Sequence, residues 1–451
     1  MASISRELRL LRRAMPASLM AILALSAGLA SPAAAADLGD SCCADLEERI
    51  AELEATTARK GNRKVSLKVS GQVHRVLTFW DDGHERNVYE SDTSTWSSRF
   101  RFSGAARIND EWDAGYRIEI APADGLSTNL NQLDDDGFRG GLRLARNYYY
   151  INNKRLGRIS VGLLHEGNDG ATGGGDFSGS DSQAGSGVGD MNGGFFLRRA
   201  GVGGVAGLVS ELTWADVTIE SPGDGASERN IVRYDSPTFE GFKLAWSWGE
   251  DDDWTVGLFF EKEIGDFEVG ASVGYGNYRS PVSECRQRSA LRSAKECTAV
   301  GGSLGFRHVP TGLHANYSTG YLDDDLPTPA PLRFGDEQTW HYTKAGIYRQ
   351  FFSLGHSGLF GEYYRGSKAI EELYAAGTSS FAPGATFLRG SMVEFYGIGA
   401  FQDIDAASAQ IYLSYRNFDV DLDVVDPVAG TNIDAALERF QAIVMGMRLE
   451  F

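Results

Sequence analysis

From Val65 to Phe451 the sequence repeats with a period of two, and no other feature limits the fold so tightly. Val65, Leu67, Val69, Gly71 and Val73 alternate with Ser66, Lys68, Ser70, Gln72 and His74. Trp96, Phe100, Phe102, Ala106 and Ile108 alternate with Arg99, Arg101, Ser103 and Arg107. Phe242, Leu244, Trp246 and Trp248 alternate with Lys243, Ala245 and Ser247. Ile443, Met445, Met447, Leu449 and Phe451 alternate with Val444, Gly446, Arg448 and Glu450. Successive side chains of a strand point to opposite faces, so each segment has one apolar and one polar face.

A soluble β-sandwich also alternates. Three features point away from it. The segments run to about ten residues or more, against about five or six in globular strands. Their polar faces are rich in arginine and glutamate, as a wet lumen would be. The connections also alternate in length. Short turns fall at 109–111, 152–157, 264–266, 309–312, 353–357 and 403–407; long loops fall around 81–94, 123–139, 165–228, 277–297, 321–338, 367–387 and 419–435. Short turns at one end and long loops at the other describe an outer-membrane barrel.

Sixteen strands are predicted: 65–80, 95–108, 112–122, 142–152, 158–164, 229–236, 241–249, 254–264, 267–276, 298–308, 313–320, 339–351, 358–366, 388–402, 408–418 and 436–451. The expected fold is an all-β membrane protein, a 16-stranded antiparallel transmembrane β-barrel over 65–451. Hydrocarbon offers no partner to a backbone N–H or C=O, and only a closed sheet leaves no edge. An even count puts both termini on the periplasmic side. Phe79, Trp80, Trp96, Trp112, Trp248, Trp254, Phe267 and Phe451 lie near strand ends, where aromatic girdles are expected.

Two segments precede the barrel. Residues 1–36 carry Arg6, Arg9, Arg12 and Arg13, then an apolar run from Ala14 to Ala30, then the small residues Ala33–Ala36. That order predicts a cleaved export signal. The run is shorter than the roughly 20 apolar residues of a membrane helix. Residues 37–64 form a short helical lead with Leu46, Ile50 and Leu53 at 4-then-3 spacing. They predict either a periplasmic seam between copies or a helix frayed in water, since so short a coiled coil is marginal alone.

Composition narrows the function. The chain has 43 Lys+Arg against 61 Asp+Glu, a net charge of −18 over 451 residues. Removing residues 1–36, of net charge +3, leaves −21. Nucleic acid is not an expected partner, because phosphate binding needs clustered cations. A hydrophobic content of 42% is too low for a bundle of membrane helices.

The candidate site is the long Gly/Ser/Asp-rich connection at 165–228, the third long loop. A structureless loop of that length needs a function. Folded inward, it would narrow the channel of a sixteen-stranded barrel. It carries Glu166, Asp169, Asp176, Asp181, Asp190 and Glu211, and the polar faces of nearby strands carry Arg99, Arg101, Arg107, Arg117 and Arg143. Opposed acidic and basic walls would set which ions pass. The alternative is that each arginine pairs with a neighbouring carboxylate on the wall. The acidic excess predicts cation preference; the arginine face of the second strand argues the other way.

Other motifs lead nowhere. Gly201-Val-Gly-Gly-Val-Ala does not join a strand to a helix, and the 7 histidines lack metal-ligand spacing. No cofactor, metal or catalytic site is expected. Cys285 and Cys297 share one long loop of an exported chain and are a candidate disulfide. Cys42 and Cys43 would bridge copies or stay free.

The stretch from Cys42-Cys-Ala-Asp-Leu-Glu-Glu-Arg to Arg63-Lys-Val-Ser-Leu resembles the mature start of alphaproteobacterial general-diffusion porins. So do Arg233-Tyr-Asp-Ser-Pro-Thr-Phe-Glu-Gly-Phe, Trp248-Gly-Glu-Asp-Asp, Gly265-Asp-Phe-Glu-Val-Gly and the terminal Phe451. The resemblance implies a homotrimer of barrels in the cell outer membrane of a Gram-negative bacterium, each pore narrowed by its third external loop. It also implies that Phe451 is a signal to the barrel-assembly machinery. Passive diffusion of small hydrophilic solutes and ions is the expected function, with outer-membrane lipid and lipopolysaccharide around the barrel. The rivals are a substrate-specific channel for sugars or anions, a barrel adhesin or tether, and a barrel hydrolase.

Overall fold

The computed structural model describes residues 64–94, 96–137, 140–180, 191–219, 228–279, 297–324 and 338–451. The chain divides into two units, Met1–Ala55 and Thr56–Phe451, and every described residue belongs to the second. The export signal, Cys42, Cys43, Leu46, Ile50, Leu53, Asp181, Asp190 and Cys285 lie outside the described residues.

In chain order the strands are β1 (Lys68–Asp81), β2 (Arg86–Asp92), β3 (Arg99–Arg107), β4 (Trp112–Pro122), β5 (Leu142–Asn153), β6 (Gly157–Leu164) and β7 (Phe196–Arg198). There follow β8 (Leu208–Thr213), β9 (Arg229–Asp235), β10 (Phe242–Gly249), β11 (Trp254–Ile264), β12 (Phe267–Tyr278), β13 (Cys297–His308) and β14 (Leu313–Asp324). The last are β15 (Gln338–Phe352), β16 (Gly355–Tyr374), β17 (Thr386–Ile404), β18 (Ala409–Val425), β19 (Asn432–Ile433) and β20 (Phe440–Glu450).

Sixteen of these form one closed antiparallel sheet: β1, β3 to β6, β9 to β18, and β20. β1 pairs with β3 on one side and β20 on the other, which closes the ring. Each of the sixteen predicted segments overlaps one barrel strand. The structure adds β2, which folds back on β1, and a small hairpin of β7 with β8 inside the third loop. It also lengthens β16, β17 and β18 to 20, 19 and 17 residues, whereas β6, β9 and β10 have only 8, 7 and 8.

The period of two fixes the two faces. Phe100, Tyr149, Ile159, Leu304, Leu359 and Ile398 are exposed on the apolar face. Trp112, Trp248, Trp254 and Phe267 share it, as the girdle reading expects. Trp80 does not. Its neighbour Phe79 is exposed on the apolar face, so Trp80 falls on the polar face, where it is buried at 2% exposure. Trp96 lies with Arg99 and Arg448 over its ring, at 5.9 and 5.4 Å.

One irregularity matters for the site. Glu119 pairs with Arg146 while Ile120 pairs with Leu144, so Ala145 is an extra residue in β5. Such a bulge shifts the parity of a strand by one. Arg143 and Arg146, three apart in sequence, thereby fall on the same polar face.

Candidate functional site

The polar face carries an arginine group built by β3, β4 and β5. The register sets Arg101 opposite Glu119, Ser103 opposite Arg117, and Glu119 opposite Arg146. Glu119 is fully buried. It accepts from Arg99 Nη1 at 2.8 Å, Arg101 Nε at 3.2 Å and Arg117 Nη2 at 2.6 Å. A buried carboxylate is stable only when charged donors replace its lost water. Three guanidiniums do so here, and they bring an excess of positive charge with them. Arg107 lies apart from this group: it is at the turn after β3 and pairs with Asp110. Arg143 pairs with Glu228 at 3.0 Å.

Residues 166–180 lie against the polar face from β10 round to β18. Gly167 N–H donates to Ser247 Oγ at 2.9 Å and Thr255 Oγ1 at 2.8 Å. Ser272 and Ser303 donate to the Ala171 carbonyl at 2.7 and 3.0 Å. Ser318 donates to the Thr172 carbonyl at 2.6 Å. Gln410 donates to the Gly179 carbonyl at 3.0 Å. Each such bond contributes roughly 0.5–1.5 kcal/mol, and leaving a buried partner unmatched costs more. Glycines allow the approach: a Cβ on Gly305 would stand 1.9 Å from the Gly175 carbonyl oxygen, and one on Gly270 would stand 2.3 Å from that of Gly174. The Gly/Ser richness of the loop is therefore matched by small residues on the wall beneath it.

Among the described loop acids, Asp176, Glu166 and Glu211 each meet a partner away from the group of Arg99, Arg101 and Arg117, whereas Asp169 lines one cavity with Arg146. Asp176 pairs with Lys344 Nζ at 2.6 Å, and Lys344 also donates to Ser180 Oγ at 2.9 Å. Burial disfavours the Asp176 anion, but Lys344 outweighs it and holds the carboxyl below its ordinary range. Glu166 lies 3.2 Å from Arg229 Nε and accepts from Tyr278 OH at 3.2 Å. Burial wins there: it pushes Glu166 up to about 7, against the pull of Arg229. Asp169 sits 3.6 Å from His165. Glu211 accepts from the Ser380 backbone N–H at 2.6 Å and hydroxyl at 2.7 Å, tying two loops together.

Residues 191–219 are held differently, by apolar packing. Phe195 packs at a tilt against Trp80 at 5.1 Å and Phe440 at 4.9 Å, and Trp214 meets Phe418 at 5.6 Å. Such aromatic pairs add about 0.5–1.5 kcal/mol beyond area burial. Trp214 opens a single helical turn, Trp214–Val217, capped by Thr213. Lys368 Nζ donates to the carbonyls at its end, Ala215 at 3.1 Å and Thr218 at 2.7 Å. Tyr364 OH donates to the Ile219 carbonyl at 2.8 Å. Asp82 anchors Arg198 at 2.6 Å.

The linear pattern hid several of these residues. Lys344 and Lys368 sit on strands far from the loop in sequence, and Arg229, just past its end, reaches Glu166 at its start only through the pairing of β6 with β9. Arg146 is displaced by the bulge. Arg158 and Arg233 fall into place only through the pairing of β6 with β9, which sets Arg158 opposite Asp235. Cys297 is disulfide-bonded. Phe451 exchanges backbone hydrogen bonds with Gly71, at 2.8 and 3.0 Å, and its ring meets Phe100. Among the described residues, no group of three or more His, Cys, Asp or Glu could hold a metal ion.

Comparison places this architecture. Among curated protein sequences, none matches this chain. Solved structures do. An anion-selective porin from Comamonas acidovorans is 15% identical, with a TM-score of 0.52 over 86% of this chain and 100% of that one. Outer-membrane expressed OmpT of Vibrio cholerae is 12% identical, with a TM-score of 0.50 over 87% of this chain and 99% of that one. These likenesses are of fold. The Gram-negative porin family model matches residues 20–432. The chain therefore belongs to the Gram-negative porin family and forms a multi-pass outer-membrane barrel that serves as a diffusion channel.

Proposed function

We propose that small hydrophilic solutes and ions cross this barrel passively, through a lumen enclosed by the polar face and narrowed by residues 165–228. The row of hydrogen bonds between residues 167–172 and the wall carries this reading, with Ser247 and Thr255 accepting from Gly167 N–H and Ser272, Ser303 and Ser318 donating to loop carbonyls. A segment tied at so many points is a fixed constriction rather than a flap. No catalysis is required, since a wet, charged passage itself lowers the barrier that hydrocarbon imposes. We read the chain as a channel and not an enzyme.

The same reading takes the protein as a homotrimer related to alphaproteobacterial general-diffusion porins. Both termini then lie in the periplasm, the long loops face outward among lipopolysaccharide, and Phe451 is read by the assembly machinery. Planar-bilayer recording of the purified oligomer tests it. Ohmic openings that close in three equal steps are expected. Saturable block by one uncharged sugar would favour a substrate-specific channel, and folded oligomers without conductance would refute both.

A further inference from the structure

We propose that a cavity on the polar face, between β5, β6, β9 and β10, is a subsite for small anions bearing a carboxylate or phosphate, and that it gives the channel anion preference although the chain is acidic. The proposal rests on the channel reading above and names its substrate class.

The cavity measures about 690 Å³. Arg146, Arg158, Arg233 and two lysines line it, against Asp169 and Asp235. Five cationic side chains outnumber two carboxylates there. Asp235 is held by Arg233 at 2.9 Å and Lys243 at 3.0 Å. Asp169 lies against His165 and also faces Arg146. Arg146 faces Glu119 across the strands, but Arg99, Arg101 and Arg117 occupy that carboxylate. Arg158 stacks over the Tyr150 ring at 4.2 Å. The Nε of Arg146 and the Nε of Arg158 are both buried without a hydrogen-bond partner.

Two guanidiniums whose Nε atoms have no protein partner, beside three more that share one glutamate, form a concentrated positive surface. Of the other acids on the loop, Asp176 is paired with Lys344 and Glu166 lies beside Arg229. The chain's negative charge therefore does not set the sign of this stretch of lumen. A carboxylate or phosphate presents paired oxygens that a guanidinium fork binds in two places. A low-dielectric wall concentrates such a field in the passage, enriching counter-ions there.

The test is the reversal potential of the reconstituted protein in a potassium chloride gradient, followed by titration with inorganic phosphate. Wild-type channels are expected to favour chloride, and phosphate at millimolar level to reduce the chloride current saturably. The Arg146→Gln/Arg158→Gln double variant should lower the chloride-to-potassium ratio by about threefold or more and abolish phosphate block. Arg155→Gln, a charge loss at an exposed turn, should change neither. Open wild-type channels that favour potassium, or a ratio unmoved in the double variant, would overturn the subsite while leaving the channel reading intact. Wild-type oligomers with no conductance would overturn both.

Discussion

Lys344 shows what one residue does for the proposed constriction. Its ammonium is fully buried and holds both Asp176 and Ser180. Lys344→Met would remove the cation and strand the carboxylate, which costs about 3–5 kcal/mol for a broken buried pair. The expected outcome is a larger, noisier single-channel conductance and a lower melting temperature. Adding Asp176→Leu should recover part of both, and a single variant indistinguishable from wild type would discard the anchoring role. Glu166 supplies a pH dependence whose sign follows from burial. Its folded value of about 7 lies above the ordinary carboxyl range. The folded state thus holds a proton that the unfolded chain releases, and stability falls as pH rises through that window, up to about 7. Above it the ionised Glu166 balances Arg229; below it the Arg229 charge is uncompensated by Glu166. Anion preference should therefore rise as pH falls from 8 to 6, and Glu166→Gln should flatten that step. A step of full size in the variant would overturn the assignment to Glu166.

At the scale of elements, the third loop meets the barrel wall through two glycine-rich surfaces. Gly305→Val would drive a side chain into the Gly175 backbone, since even a Cβ there stands 1.9 Å from its carbonyl oxygen. Gly173 has no such neighbour within 3.8 Å. Gly305→Val should shift the segment and alter conductance, whereas Gly173→Ala should leave it within error. Equal effects would sink the idea that close backbone approach positions the loop. The same contrast explains what could be read in advance. Strand positions were legible because alternation survives in any strand with one face in hydrocarbon. Strands β16 and β18 were predicted too short because their far ends are charged: Lys368, Glu371 and Glu372 interrupt the alternation in β16, while in β18 Asp419, Asp421 and Asp423 alternate with Val420, Leu422 and Val424 but read as an acidic loop. Trp80, Phe195, Trp214, Phe418 and Phe440 were invisible as a group because a wet lumen predicts polar side chains on that face. The partners of Asp176 and Glu166 were hidden for another reason: cross-strand register, not sequence spacing, brings Lys344 and Arg229 to the loop.

The whole barrel is lopsided, and that shape bears on how copies assemble. A membrane-crossing strand needs about 9–11 residues. The wall of β6, β9 and β10 offers 8, 7 and 8, while β16 to β18 offer 17 to 20. A low wall set in lipid would leave polar turns and loops at hydrocarbon depth, where unpaired backbone groups are costly. Set against another copy, the same wall is shielded. The exposed Ile159 and Trp246 of that wall should then meet protein, and the exposed Leu359 of the tall wall should meet lipid. An arginine on a lipid face costs about 2–4 kcal/mol at the bilayer midplane but leaves subunit contacts intact. An arginine buried between copies would break them. Ile159→Arg is therefore expected to run as monomers on a semi-native gel, with Leu359→Arg retaining the oligomer at reduced folding yield. The opposite pattern would place the tall wall between the copies and return the short one to lipid.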